Sequence, residues 1–369
     1  KFIGGVMVKK QKYVSLLALG LGVSTILAAC GGNGDTADSS ATGSSTAEGT
    51  EDNFTIAMVT DVGGVDDKSF NQSAWEGLVA WGEENGKEKG IDGYDYIQSN
   101  ADSEFVTNLN TAVNSNFDLV FGIGYKLKSA MQDVATQNPD TLFAIIDDVI
   151  EGENTVSISF KDNEAAFLAG VAAAKTTKTN QLGFIGGQES AVIDRFEAGF
   201  VAGAKSVNPE IDVKVEYVGS FGDAAGGKSK AAAMYASGID VIYQAAGDSG
   251  NGVFSEAKDI VKADPSKEIW VIGVDRDQTE EGLLTLDDGT ERNLTLTSTL
   301  KGVGTAAKDI ATLTMNDEFP AGEVLNFGLA EEGVDLTDGQ LGEEALTAVE
   351  DAKSQILDGT LTVPEAPEN

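Results

Sequence analysis

Residues 54–72 read Phe54-Thr-Ile-Ala-Met-Val-Thr60-Asp61-Val-Gly-Gly-Val-Asp-Asp-Lys-Ser69-Phe70-Asn71-Gln72. The first seven form an apolar run with β-branched members, bounded by acids and glycines. That pattern predicts a strand buried on both faces. A helical pattern follows from Phe70 to about Lys89. Ser69 and Gln72 have capping-box spacing, so the helix is expected to begin at Ser69, with Phe70 and Asn71 in its first turn. A flat ring beside an amide suits a planar heteroaromatic ligand, because the ring stacks and the amide both donates and accepts. The same spacing also fits a core phenylalanine next to a solvated asparagine.

Outward from this unit the alternation repeats. Candidate strands are 94–98, 119–122, 142–146, 156–159, 182–185, 213–218, 241–245 and 270–274. Candidate helices cover 103–115, 126–137, 162–176, 190–206, 224–237 and 251–263. Strand–helix alternation of this kind predicts an α/β fold with parallel sheets and crossover helices. Two blocks of strands predict two lobes, divided near Phe160. In open α/β sheets ligands sit beyond the carboxyl ends of the strands. There the sequence carries Asp61, Gly122-Ile-Gly124, Asp147-Asp148, Gly186-Gly187, Gly247 and Asp275. One acid at a strand end is ordinarily a helix cap; several together point to a site.

Composition narrows the chemistry. The 369 residues carry a formal charge of -35, with no histidine and one cysteine. Strong acidity disfavours nucleic acid and polyanionic ligands. The absence of histidine excludes Ser-His-Asp and Cys-His catalysis and histidine metal sites. One cysteine cannot make an internal disulfide.

Met7 opens a short basic run, followed by apolar residues 14–27, too few to span a bilayer. Together they read as a secretory signal, with residues 1–6 upstream of the expected start. The stretch Leu27-Ala-Ala-Cys30 resembles a lipoprotein processing site, which implies a signal peptide at 1–29 and lipid on Cys30. Residues 30–52 are rich in Gly, Ser, Thr, Ala, Asp and Glu and read as a flexible tether of about 25 Å root-mean-square reach.

The segment 59–72 also resembles the signature of the basic membrane protein family, the substrate-binding lipoproteins of ABC transporters that include purine nucleoside receptors. Phe121-Gly-Ile-Gly124, Ala144-Ile-Ile-Asp147, Phe196-Glu-Ala-Gly-Phe200, Ala246-Gly-Asp-Ser-Gly-Asn-Gly252, Gly273-Val-Asp275 and Ser298-Thr-Leu-Lys-Gly302 match further, in the family's order. The resemblance implies a type I periplasmic-binding-protein fold. Two doubly wound parallel-sheet lobes would be joined by a three-segment hinge. Residues 53–160 with about 299–320 are expected in the first lobe, 161–298 with about 321–358 in the second, and 359–369 in a tail.

It also implies roles. A purine base would lie between Phe70 and Phe196, the latter also suited to a helical core face with Phe200, Gly203 and Val207. Asp61 and Asn71 would meet polar edges of the base. Asp147 and Asp275 would bind ribose hydroxyls, and Lys301 would balance the acids and donate to the sugar. Gly247 backbone and Trp75 would complete the wall. The implied ligand is adenosine, guanosine or inosine, held by a monomer that docks on a permease, with no cofactor, metal or catalysis.

Two alternatives stand beside this. One is a receptor for a sugar or other small solute. The other is a metal-dependent nucleoside hydrolase, whose Asp-rich strand-end loop resembles Thr60-Asp61…Asp66-Asp67. Against the hydrolase, Val59 stands where that motif has an acid, and the loop is one residue longer.

Overall fold

The computed structural model of the chain describes residues 53–367. The expected signal peptide, the lipidated Cys30 and the 30–52 tether lie outside the described residues.

The first sheet is built from β1 (Ile56–Val59), β2 (Tyr94–Ile97), β3 (Leu119–Ile123), β4 (Leu142–Ile146) and β5 (Thr155–Phe160). Between them run α1 (Phe70–Glu84), α2 (Phe105–Asn114) and α3 (Lys128–Gln137). The chain then passes through α4 (Asp162–Thr176), β6 (Gln181–Gly186), α5 (Ala191–Val207), β7 (Asp212–Tyr217), α6 (Ala224–Ser237), β8 (Val241–Ala245), α7 (Asp248–Ala263) and β9 (Trp270–Gly273). A small hairpin of β10 (Leu283–Thr285) and β11 (Glu291–Asn293) precedes β12 (Thr295–Lys301), α8 (Val303–Met315), β13 (Val324–Phe327), β14 (Val334–Leu336) and α9 (Glu343–Leu357).

The two large sheets repeat one topology. Their strand orders are β13-β5-β4-β3-β1-β2 and β14-β12-β9-β8-β6-β7. All neighbours are parallel except β12 and β14. Helices cover both faces, so central strands such as β1, β3 and β8 are buried along their whole length. That is why they read as continuous apolar runs rather than alternating ones.

The chain passes between the sheets three times, after β5, after β12 and after β13. Two of the expected boundaries need correction. β12 continues its ladder with β14 as far as the Lys301–Val334 pair, so residues 299–301 belong to the second sheet. β13 pairs with β5 from Val324–Ser157 to Phe327–Phe160, so 324–327 lie in the first sheet rather than with the second lobe. β13 is a short edge strand with a half-exposed, mixed pattern, which is why it gave no strand signal.

Helix α8 packs on α1 through glycines. A Cβ on Gly77 would stand 2.1 Å from the carbonyl oxygen of Gly304. In the second lobe, α4 and α5 approach as closely: a Cβ on Gly203 would lie 2.0 Å from the Phe167 carbonyl oxygen. Helix α9 packs on α4. Beyond it the Asn163 side-chain amide donates to the Val363 carbonyl at 3.0 Å, and Val363 is buried, so part of the expected tail is packed against the second lobe. Gly77→Ala is therefore expected to lower stability in urea unfolding by about 1–3 kcal/mol, since the obstacle is backbone. An unchanged midpoint would mean that α1 and α8 can separate without cost.

Candidate functional site

Both sheets reverse strand order at their second strand pair, between β1 and β3 and between β6 and β8. The carboxyl ends of the strands at these switch points face one another across a narrow cleft. The position is that of small-ligand sites in open α/β sheets. Asp61, Phe70, Asn71, Gly124 and Asp147 line it from the first lobe, and Phe196, Gly247, Asp275 and Lys301 from the second.

Trp75 is the expected wall residue that the structure does not bring there. One helical turn farther along α1, it packs against Tyr94 and Tyr96 at ring-centroid distances of 5.5 and 4.9 Å, under the Lys89 ammonium. Residues that the sequence reading passed over take its place, chiefly Asp67, Tyr125, Val192, Ile193 and Phe221. Tyr125 and Phe221 meet edge-to-face across the interlobe gap at 6.3 Å.

The start of α1 is capped differently from expectation. Ser69 makes no side-chain cap bond; its hydroxyl donates instead to the Asp275 carboxylate of the other lobe. Asp67 does the capping. Its oxygens accept from the Ser69, Asn71 and Gln72 amides at 2.8, 2.9 and 3.1 Å. Buried donors at a helix start need acceptors, and a carboxylate there also complements the helix dipole.

The arrangement fixes the Asn71 amide. Its nitrogen donates to Asp61 Oδ1 at 2.7 Å and to Asp67 Oδ2 at 3.0 Å. Both amide protons are thus committed, and the buried Asn71 Oδ1 has no partner in the cleft. Asp61 also accepts from the Gly63 amide at 3.0 Å. Burial nevertheless dominates and pushes the Asp61 carboxyl up to about 6.

The hinge side of the cleft is ionic. Lys301, at the end of β12, is buried, with its ammonium 2.6 Å from Asp147 Oδ2 and 3.0 Å from Asp162 Oδ1. Arg195 of α5 grips the other Asp162 oxygen through Nη2 at 2.8 Å and Nε at 3.1 Å. Burial alone would lower the lysine pKa, but Asp147, Asp162 and Asp275 carry it above its usual value. The same ammonium lies 5.1 Å from the Phe70 ring centroid and 5.6 Å from that of Phe196, so both expected stacking rings border one cation.

Asp147 and Asp275 hold left-handed backbone conformations, with φ of 71° and 67°. Non-glycine residues pay for this conformation, and such strain collects at functional sites. Asp147 Oδ1 is buried without a partner. Burial raises the carboxyl pKa of both, that of Asp275 to about 7 despite Lys301 and Ser69.

Phe196 serves two surfaces. It lines the cleft and also packs edge-on against Tyr243 at 6.4 Å, one turn before the fully buried Phe200. The core-face reading and the cleft reading of this helix therefore both hold for its position. Gly247, at φ 56°, begins α7 in a backbone conformation that a side chain rarely adopts.

A two-lobed α/β chain with this cleft can be matched to known proteins. The family model described as ABC transporter substrate-binding protein PnrA-like covers residues 54–366. The chain belongs to this family. It is 50% identical to the CD4+ T-cell-stimulating antigen of Listeria innocua over 97% of this chain and all of that one. It is 48% identical to the ABC transporter nucleoside-binding protein BmpA of Lactococcus lactis, covering 96% and 99% of the two chains. Among solved structures, a solute-binding protein of an ABC transporter from Aeropyrum pernix superposes with a TM-score of 0.73 at 24% identity, over 86% of this chain and 94% of that one. The fold is thus the periplasmic-binding-protein architecture that the sequence suggested. The chain is an extracytoplasmic ABC transporter substrate-binding protein of the basic membrane protein family, not an enzyme, which sets aside the hydrolase alternative.

The raised carboxyls have a measurable consequence. Asp275 keeps its proton to about pH 7 when folded, but an unfolded aspartate ionises near pH 4. Between those values the unfolded chain binds fewer protons, so rising pH favours unfolding. Relative to Asp275→Asn, the ligand-free wild type is expected to lose about 1.4 kcal/mol of stability per pH unit from pH 5 to 7, then level off. A flat difference across that range in chemical denaturation would show that Asp275 is ionised throughout.

Proposed function

We propose that this chain is the lipid-anchored receptor of a nucleoside importer, and that it binds purine nucleosides between two closing lobes. The observation that carries the reading is a pair of buried acceptors without partners, Asn71 Oδ1 and Asp147 Oδ1, in a cleft walled by Phe70 and Phe196. Acceptors left unmade in a buried site are costly, and a ligand rich in N–H and O–H donors relieves that cost. A purine nucleoside carries N–H donors on its base and hydroxyls on its sugar.

In this reading the base stacks between Phe70 and Phe196. Asn71 Oδ1 and Asp61 accept from its edge. Asp147 and Asp275 accept ribose hydroxyls, with Lys301 donating beside them. Lys301 and Arg195 are already engaged by carboxylates, which disfavours a phosphate on the ligand. Since each lobe holds part of the contacts, the ligand shifts the population toward closure. The loaded monomer then docks on the permease. Cys30 and the tether through residue 52 keep it at the extracytoplasmic face of the cell membrane. The nucleoside-binding description of the Lactococcus relative supports the ligand class.

Titration calorimetry with adenosine, guanosine, inosine, the free bases and hexoses tests the assignment. Purine nucleosides are expected to bind, and Phe70→Ala is expected to weaken them by about 1–3 kcal/mol with little change in melting temperature. Binding of a hexose and of no nucleoside would overturn the ligand assignment. Asp275→Ala is expected to penalise ribonucleosides more than free bases; equal losses would remove Asp275 from the sugar subsite.

A further inference from the structure

The loop that aims Phe70 and Asn71 into the cleft is held from the opposite lobe by two side chains that do not line the cleft. The Gln278 amide nitrogen donates to the Lys68 carbonyl at 2.8 Å. The Asn251 amide nitrogen donates to the neighbouring Asp67 carbonyl at 3.1 Å. Neither residue borders the ligand cavity. We propose that Gln278 and Asn251 are positioning residues, a two-point clamp by which the second lobe grips the backbone of the first-lobe binding loop when the lobes close.

The orientation of Gln278 is determined before the other lobe arrives. The residue is buried, and its side-chain oxygen accepts from the Val274 amide at 2.9 Å and from the Gln244 side-chain nitrogen at 2.7 Å. Its backbone is tied at both ends, with the amide donating to Ser298 Oγ at 3.1 Å and the carbonyl accepting from Thr295 Oγ1 at 2.9 Å. All these partners belong to the second lobe. They leave the Gln278 nitrogen as a fixed donor aimed across the gap. A preset donor loses little freedom when it bonds, so it discriminates closed from open.

The gripped segment is suited to transmit this. Lys68 has a left-handed backbone, φ 61°, which turns the chain sharply into α1. The residues on either side are functional: Asp67 caps the helix and fixes the Asn71 amide, and Ser69 donates to Asp275. Holding the two carbonyls therefore holds the base-recognition amide, the Phe70 ring and the interlobe Ser69–Asp275 bond in register. The proposal rests on the reading of the cleft as the ligand site.

The test compares wild type with Gln278→Glu and Asn251→Ala on the full chain at pH 9, where the introduced carboxyl is ionised and has no proton to donate. Gln278→Glu keeps the acceptor that Val274 and Gln244 use, removes the interlobe donor and sets a carboxylate oxygen against the Lys68 carbonyl in its place. Stopped-flow binding of guanosine is expected to show dissociation about tenfold faster in each variant, with association little changed. Ligand-free melting should stay put for Asn251→Ala, which introduces no charge. Unchanged dissociation in both variants, or equal changes in association and dissociation tracking a fall in melting temperature, would overturn the clamp. If wild type binds no nucleoside, the ligand reading fails but the clamp is still decided by hydrogen exchange of residues 61–72. Faster exchange in the variants upholds the clamp, and identical exchange refutes it.

Discussion

A charged lysine ammonium buried at the junction of two lobes constrains everything around it. Lys301 stands where the chain leaves the second sheet, and it is surrounded by Asp147 from the first lobe and Asp162 from the first crossing. An unpaired ammonium there would cost several kcal/mol, so the carboxylates have to stay close. Arg195 in turn ties Asp162 to α5. The result is an ionic chain that joins both lobes at the hinge and sets how the strand ends confront each other. Such a network is weak evidence for net stability, because desolvation offsets much of the attraction. Its value is geometric: it fixes where the two phenylalanine rings and the remaining acids stand.

Around that fixed point the cleft is rich in acceptors and poor in free donors. The Asn71 protons are committed to Asp61 and Asp67, and the Lys301 ammonium is committed to two aspartates. What remains open is oxygen, in a site where burial raises carboxyl pKa values. A neutral ligand with many N–H and O–H donors meets this environment; an anion does not. Interlobe contacts outside the cleft, from Gln278 and Asn251, join the Tyr125–Phe221 edge that lines it in holding the two lobes together.

Much of the fold was legible because buried parallel strands are continuous apolar runs. Strands 142–146 and 241–245 and helices 162–176 and 224–237 were read with the boundaries they have. The elements that escaped are helix α8 and strands β10 to β14; the strands are edge or hairpin strands with mixed exposure, or a strand rich in threonine and serine at the hinge. The pairing of β12, β13 and β14 is long-range, so no local pattern announces it. That is also why the second and third lobe crossings were misplaced by several residues. At the site, strand-end acids and the aromatic at the start of α1 were readable from position. Trp75 was not, because one turn along a helix separates a cleft wall from a packed surface, and only β2 decides which it is. Asp67 was hidden behind a stronger-looking capping pattern at Ser69. Asp162 and Arg195 were invisible because their meaning depends on Lys301, more than 100 residues away. Asp67, an acid three residues before the first residue of α1, could have flagged the true cap.

The central claim is a planar base clasped between rings from opposing lobes while carboxylates hold its sugar. A crystal structure of the chain with bound guanosine tests this most directly. The account predicts the purine stacked between Phe70 and Phe196, with ribose hydroxyls on Asp147 and Asp275. Guanosine bound elsewhere, with both rings turned into the cores of their own lobes, would contradict it.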